Sequence, residues 1–243
     1  PAGELLKAAE PSAVRSLIAA QGSTGSTPGS TAKSRGDAQN QAEEALNIDH
    51  VNELFFGSIN GGGINVGTLS DSADKVDAIG SDGIRGFDES QATGDLPPDD
   101  HLLVVEDDLN QQDEGRAMME HIYDLAPGVK TLGFATARGG QANFAQNITA
   151  LADEGMNIIN DDYVYYAEPI YQDGVIAEAV KEYVDGGGIY FSLNHNYGNL
   201  SREDEWSSVG GSPLHNFSST KEPDELIYVT MDFNSDVTIG LQW

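Results

Sequence analysis

The sequence predicts an α/β fold built on a parallel sheet covered by helices on both faces. Short apolar runs alternate with helical patterns from residue 64 to residue 193, the signature of strand–helix–strand units. The hydrophobic fraction is 39%, enough for a sizeable core in a chain of 243 residues. The 28 glycines supply the tight turns such a chain needs.

The elements follow in order. Residues 3–20 (GELLKAAEPSAVRSLIAA) read as two short helical pieces broken near Pro11. Residues 21–36 are rich in Gly, Ser and Thr and read as a flexible linker, so the main domain is expected to start near residue 37. An amphipathic helix fits residues 38–47. Residues 64–70 (INVGTLS) form an apolar run between three glycines and Asp71, hence a strand; residues 101–105 (HLLVV) are a second. Residues 114–125 are helical, with Met118, Ile122 and Leu125 at helical spacing and Pro127-Gly128 as the stop. Strand, helix, strand and helix then follow over 129–135, 142–153, 156–160 and 175–184, and a strand over 189–193 closes the series. Residues 226–230 and 237–243 read as strands with no helix between them. The expected organisation is an extension and linker over 1–36, an α/β domain over 37–212, and the start of a β-rich insert or second domain over 213–243.

Charge narrows the partners. Residues 1–40 hold four bases and three acids, whereas the remainder holds eight bases and 37 acids. So negative a field repels phosphate backbones, and nucleic acid is not expected as a partner. The acidity reads as solubility or as carboxylate-built calcium sites, although no D-x-[DN]-x-[DN]-G loop occurs. Calcium is the one cofactor left open. With no cysteine, disulfides, thiolate catalysis and Cys-based zinc sites are excluded. No run of 18 apolar residues suggests a membrane span, and no charged-then-apolar leader is visible.

In open α/β sheets, sites form at the carboxyl ends of the strands. That directs attention to residues 70–74, 106–114, 160–163 and 192–196. Asp71, directly after a strand, suits either the orientation of a catalytic base or the capping of a helix. Glu114 opens a helix, where free amides and the helix dipole favour a carboxylate. It reads as a general base or acid, or as a simple charge bias at a helix start. Burial would raise its pKa toward a useful range. Asn196 closes the run YFSLNHN (190–196), where an amide can donate to a developing oxyanion or merely line a polar loop. The five histidines, His50, His101, His121, His195 and His215, have no zinc-binding spacing. His121, seven residues after Glu114 on the same helix face, reads as a partly buried structural residue.

Taken together, these segments resemble one branch of the subtilase family. GGGINVGTLSDS (61–72) is similar to the strand bearing that family's catalytic Asp. DEGRAM (113–118) stands where most subtilases have His-Gly-Thr. GDLP, DLAPGVKTLGFAT, GGQANFAQN and EGMNIINDDYVYYAEPIYQDG follow in family order. YFSLNHN is similar to the stretch that ends in the oxyanion Asn. The resemblance runs from about residue 35 to 243. It implies a three-layer α/β/α sandwich of subtilisin type, incomplete at its C-terminal side. It also implies a serine endopeptidase acting on protein or peptide substrates, secreted or at the cell surface.

By position, Asp71 matches the catalytic Asp, Glu114 replaces the catalytic His, and Asn196 matches the oxyanion Asn. A Glu in this place resembles the sedolisins, but the Asp they carry one turn further along is here Met118. Asn194-His195 also replaces the Ala-Gly before the oxyanion Asn. The nucleophile's Gly-Thr-Ser-x-Ala-type motif does not occur. Ser212 is no substitute, because Pro213 would block the helix that should follow it. The chain is therefore expected to be the front part of such a domain and inert by itself. A non-catalytic surface-binding domain on the same fold is the alternative. A solute-binding lobe is a third reading, and it leaves DEGRAM and GQANFAQN without a role.

Overall fold

The central strand shows why the apolar run after Gly61-Gly62-Gly63 is a strand: β1 (Asn65–Ser70) is buried from Val66 to Ser70. It pairs with β3 (Thr131–Thr136) on one side and β4 (Ile158–Asp161) on the other. β2 (Leu102–Glu106) and β5 (Ile189–Phe191) are the edges, giving the order β2-β3-β1-β4-β5 with every pairing parallel. This computed structural model describes residues 36–37, 41–55, 57–75, 86–194, 203–218, 220, 222–228, 230 and 239. All of them fall within one structural unit, Lys33–Trp243.

Strand periodicity divides the core in two. Val66, Leu132 and Phe134 point to one face, where they meet Phe87 of α3 (Phe87–Thr93) and Met119 of α4 (Glu114–Leu125); α1 (Ala42–Leu46) and α2 (Ile48–Phe55) precede β1. Leu69, Ala135 and Ile159 point to the other face, against Ile148 and Leu151 of α5 (Gln141–Asp153) and Tyr183 of α6 (Val175–Asp185). The result is the expected α/β/α sandwich. Its second face depends on a close approach. Gly67 and Gly133 are register partners, and a Cβ on Gly133 would stand 2.9 Å from Met156 Cε. Two hydrogen side chains thus make the space into which Met156 and Leu151 pack.

One crossover is of unusual hand. The β1–α3–β2 connection steps outward past β3 on the first face. β2–α4–β3 steps back on that same face. β3–α5–β4 and β4–α6–β5 continue in the returning direction but use the second face. Hand is set by direction and face together, so β2–α4–β3 is opposite to the other three. Parallel crossovers are right-handed in about 98% of cases, which makes α4 the left-handed crossing. It thereby lies on the α3 side and against β1, and brings its first residue to the end of β1.

Several boundaries differ from expectation. The helix expected over 38–47 is α1, only five residues long and ended by Asn47 in a left-handed conformation (φ 57°). α2 and α3 were not anticipated. The strand expected over 129–135 begins at Thr131, because Val129 forms an antiparallel bridge to Gly62 instead. The strand expected over 226–230 is not formed at its described residues: Leu226, Ile227 and Tyr228 carry no strand pairing and stand exposed. The expected helical pieces over 3–20, the linker over 21–35 and, apart from Ile239, the strand over 237–243 lie outside the described residues.

Candidate functional site

At the carboxyl edge of the sheet, carboxylates gather the backbone around the end of β1. Asp71 Oδ1 accepts the amides of Ser72 (2.7 Å) and Glu114 (3.1 Å), and Oδ2 accepts that of Gln112 (2.9 Å). Asp107 accepts the amides of Ala73 (3.3 Å) and Asp74 (2.8 Å), and Asp113 accepts Lys75 N (2.8 Å) and Ser72 Oγ (3.0 Å). Every amide from Ser72 to Lys75 therefore ends on a carboxylate. Asp74 in turn accepts the amide of Phe87 at 2.8 Å and so caps α3 from a distance. Crowding carries an electrostatic consequence. Burial pushes the carboxyls of Asp74 and Asp113 above their ordinary range, and their mutual proximity to Asp107 adds to it. Arg116 Nη2, 3.1 Å from Asp113 Oδ2, offsets part of that charge.

Glu114 opens α4, as the spacing predicts. Asp113, before it, is left-handed (φ 58°) and does not cap its own helix; Asp71, just after β1, caps it instead. The residue after it is pinned as well. Gly115 N donates to Ser72 O at 2.9 Å, and a Cβ there would stand 2.3 Å from the Phe134 ring. The start of α4 is thus pressed flat onto β1 and β3. Its Glu114 carboxyl hydrogen-bonds to Asp162, just beyond β4, and has Asp71 nearby. Asp162 is held by its own amide, which donates to Leu69 O at 3.0 Å.

The expectation that the helix N-terminus stabilises Glu114 as an anion is corrected here. Asp71 takes the amide of Glu114 and Ser72 O that of Gly115, and the Glu114 carboxyl is pushed up to about 7 by its hydrogen bond to Asp162, then by partial burial and by the charges of Asp162 and Asp71. Such a carboxyl exchanges its proton near neutral pH.

The neighbouring strand ends are tied down by side chains. Asp161 Oδ1 accepts Ser192 Oγ at 3.0 Å, joining the ends of β4 and β5, and burial raises its carboxyl. After β3, Arg138 pairs with Asp108 at 3.2 Å and donates to Tyr163 Oη at 3.1 Å. Tyr165 Oη receives Gly140 N at 2.9 Å and donates to Ala137 O at 2.8 Å. Asn147 Nδ2 bonds Glu106 Oε2 and Thr136 O, both at 2.7 Å. These bonds give GGQANFAQN a role: it fixes the turn between β3 and α5.

Of the expected site residues, Asp71 and Glu114 come together, through a backbone amide. Asn196 lies outside the described residues, as does His195. His121 is exposed, not partly buried, because its position on α4 turns away from the sheet. Asp162 is the residue that sequence reading did not single out, although residues 160–163 follow a strand and so lie where sites form. Among the described residues, no group of three or more His, Asp or Glu side chains is disposed to hold a metal ion, and no helix is long and apolar enough to cross a membrane.

Fold and site together define an α/β protein with a carboxyl cluster at the carboxyl edge of a parallel sheet. No family model matches the chain, and no curated protein matches it.

Proposed function

We propose that this chain carries the base-bearing part of a subtilisin-type serine endopeptidase domain, secreted or at the cell surface, with protein or peptide substrates. The observation that carries the reading is the place of Glu114 at the carboxyl edge of the sheet, where its carboxyl hydrogen-bonds to Asp162 and is thereby pushed up to about 7. A base works best when its pKa lies near the working pH, and a solvated glutamate near 4.5 is too weak. The ordered resemblance from Asp71 through Asn196 supports the family.

The nucleophile in this reading is a serine of a Gly-Thr-Ser-x-Ala-type segment, which does not occur in the 243 residues. Its hydroxyl oxygen bonds to the peptide carbonyl carbon while its proton passes to the Glu114 carboxylate. The Asn196 side-chain amide donates to the oxyanion that forms. As the C–N bond breaks, the Glu114 carboxyl returns the proton to the leaving amine nitrogen. A water molecule then repeats the sequence on the acyl ester. Asp71 supports this by holding the start of α4.

One observation favours the alternative of a non-catalytic binding domain. Both Asp71 oxygens are already engaged by backbone amides, which is a scaffold's use of a carboxylate. The complete gene product decides between the two. Covalent labelling of a serine by a fluorophosphonate, with peptide hydrolysis abolished in Glu114→Gln, is the expected result. Neither labelling nor hydrolysis by a folded product would leave the binding domain as the better reading.

A further inference from the structure

We propose that Asp162 is a positioning residue for Glu114: its carboxyl shares one proton with the Glu114 carboxyl and fixes where that group points at the carboxyl edge of the sheet. The geometry comes from three anchors on one strand end. Asp162 N is bonded to Leu69 O at 3.0 Å, Glu114 N to Asp71 Oδ1 at 3.1 Å, and Gly115 N to Ser72 O at 2.9 Å. Leu69, Asp71 and Ser72 are nearly consecutive. The backbones of Asp162 and Glu114 are thus held against the same few residues, and their side chains meet in a hydrogen bond. The tight seat of Gly115 against Phe134 leaves α4 little freedom to slide away.

Two carboxylates at hydrogen-bonding distance repel, and the pair relaxes by keeping one proton between them. The groups that face Glu114 are Asp162 from the end of β4 and Asp71 from the end of β1. Beside it in the chain, Asp113, just before the helix, and Arg116 pair with each other. Asp71 is occupied by three amides, which leaves Asp162 as the carboxyl that hydrogen-bonds to Glu114. The raised affinity of Glu114 for a proton follows the same order, with Asp162 as its first cause. The catalytic consequence rests on the peptidase reading; the pairing does not.

The test separates the two. The carboxyl carbon of Glu114 is followed by NMR through a pH titration of the full 243-residue chain, with Glu114→Gln to assign the resonance. In wild type the midpoint is expected near 7. In Asp162→Asn it should fall by one pH unit or more, a tenfold or greater loss of proton affinity, and Asp162→Glu should restore most of it. An unchanged midpoint in Asp162→Asn, or an ordinary carboxylate midpoint in wild type, overturns the proposal. Should Asp162→Asn fail to fold, the wild-type chain decides: the Glu114 and Asp162 resonances must move together in two coupled steps, and two independent single steps overturn the pairing. In the complete gene product, the acid limb of the kcat/KM profile should move down with the midpoint. A product that folds but hydrolyses nothing removes the peptidase reading while the titration still judges the pairing.

Discussion

The backbone amide of Glu114 donates to Asp71 Oδ1 across 3.1 Å, joining the first residue of a helix to the residue that follows the central strand. With Ser72 and Gln112 donating as well, Asp71 replaces the cap that Asp113, in its left-handed conformation, does not provide. Asp71→Ala leaves three amides without this acceptor. Hydrogen bonds to a charged group contribute about 1.5–3 kcal/mol each and are not additive, so a loss of about 3 kcal/mol is expected. Urea denaturation measures it. Full stability together with lost activity would assign Asp71 to orienting a base instead.

Glu114 makes the fold sensitive to pH in a definite direction. Its folded-state value, about 7, lies above its ordinary 4.5, so between these limits the folded protein holds more proton than the unfolded chain. Stability from this group is complete below about 4.5 and is lost as pH rises through 7. Glu114→Gln removes the penalty and should stabilise the protein at pH 8 by about 1 kcal/mol after allowance for solvent screening. At pH 4 it should do little. Thermal melts of both proteins at the two pH values check this, and an equal effect at both would refute it.

Gly115 is a test of how closely α4 seats. Alanine is the better helix former by about 1 kcal/mol. Its Cβ, however, would lie 2.3 Å from Phe134 Cε2 and 2.7 Å from the carbonyl oxygen of Ser72, and the second is backbone. Gly115→Ala is therefore expected to destabilise by about 2 kcal/mol net. A gain in stability would mean that the helix start is not pressed onto the sheet.

Asn147 holds the turn that follows β3 through 2.7 Å bonds to Glu106 Oε2 and Thr136 O, and it is 5% exposed. Asn147→Ala takes its donor from the buried Thr136 O, leaves Glu106 Oε2 with Asn143 Nδ2 alone, and opens a small cavity, for an expected cost of about 2 kcal/mol. Asn147→Asp should be at least as harmful, because it sets a second carboxylate beside Glu106. Denaturation midpoints of the two variants at neutral pH provide the comparison.

Much of the fold was legible in the chain because buried parallel strands and amphipathic helices leave strong local patterns. α4 was placed to the residue by Met118, Ile122 and Leu125 and by the Pro127-Gly128 stop. α5 and α6 were placed within one residue at each end. α3 was missed because its seven residues, FDESQAT, bury only Phe87 and Ser90 and its first amide is capped by Asp74, thirteen positions earlier. At Leu226, Ile227 and Tyr228 the expected strand is not formed, since an apolar run by itself does not make a strand without a pairing partner.

By itself the sequence determined the alternation of elements, the acidic field, and the placing of Asp71 and Glu114 at element ends, since each depends on residues near one another in the chain. Only the tertiary structure decided which charges meet. The parallel register of β1 and β4 sets Leu69 beside Asp161, and the left-handed crossing of α4 lays Glu114 over the same edge. Residues 114 and 162 are far apart in the chain and become a pair through strand order. Asp71, readable as a helix cap, proved to cap a helix that begins 43 positions later. The physical reason is that a carboxylate's partner and its proton are set by what surrounds it in space, and local pattern carries no record of that.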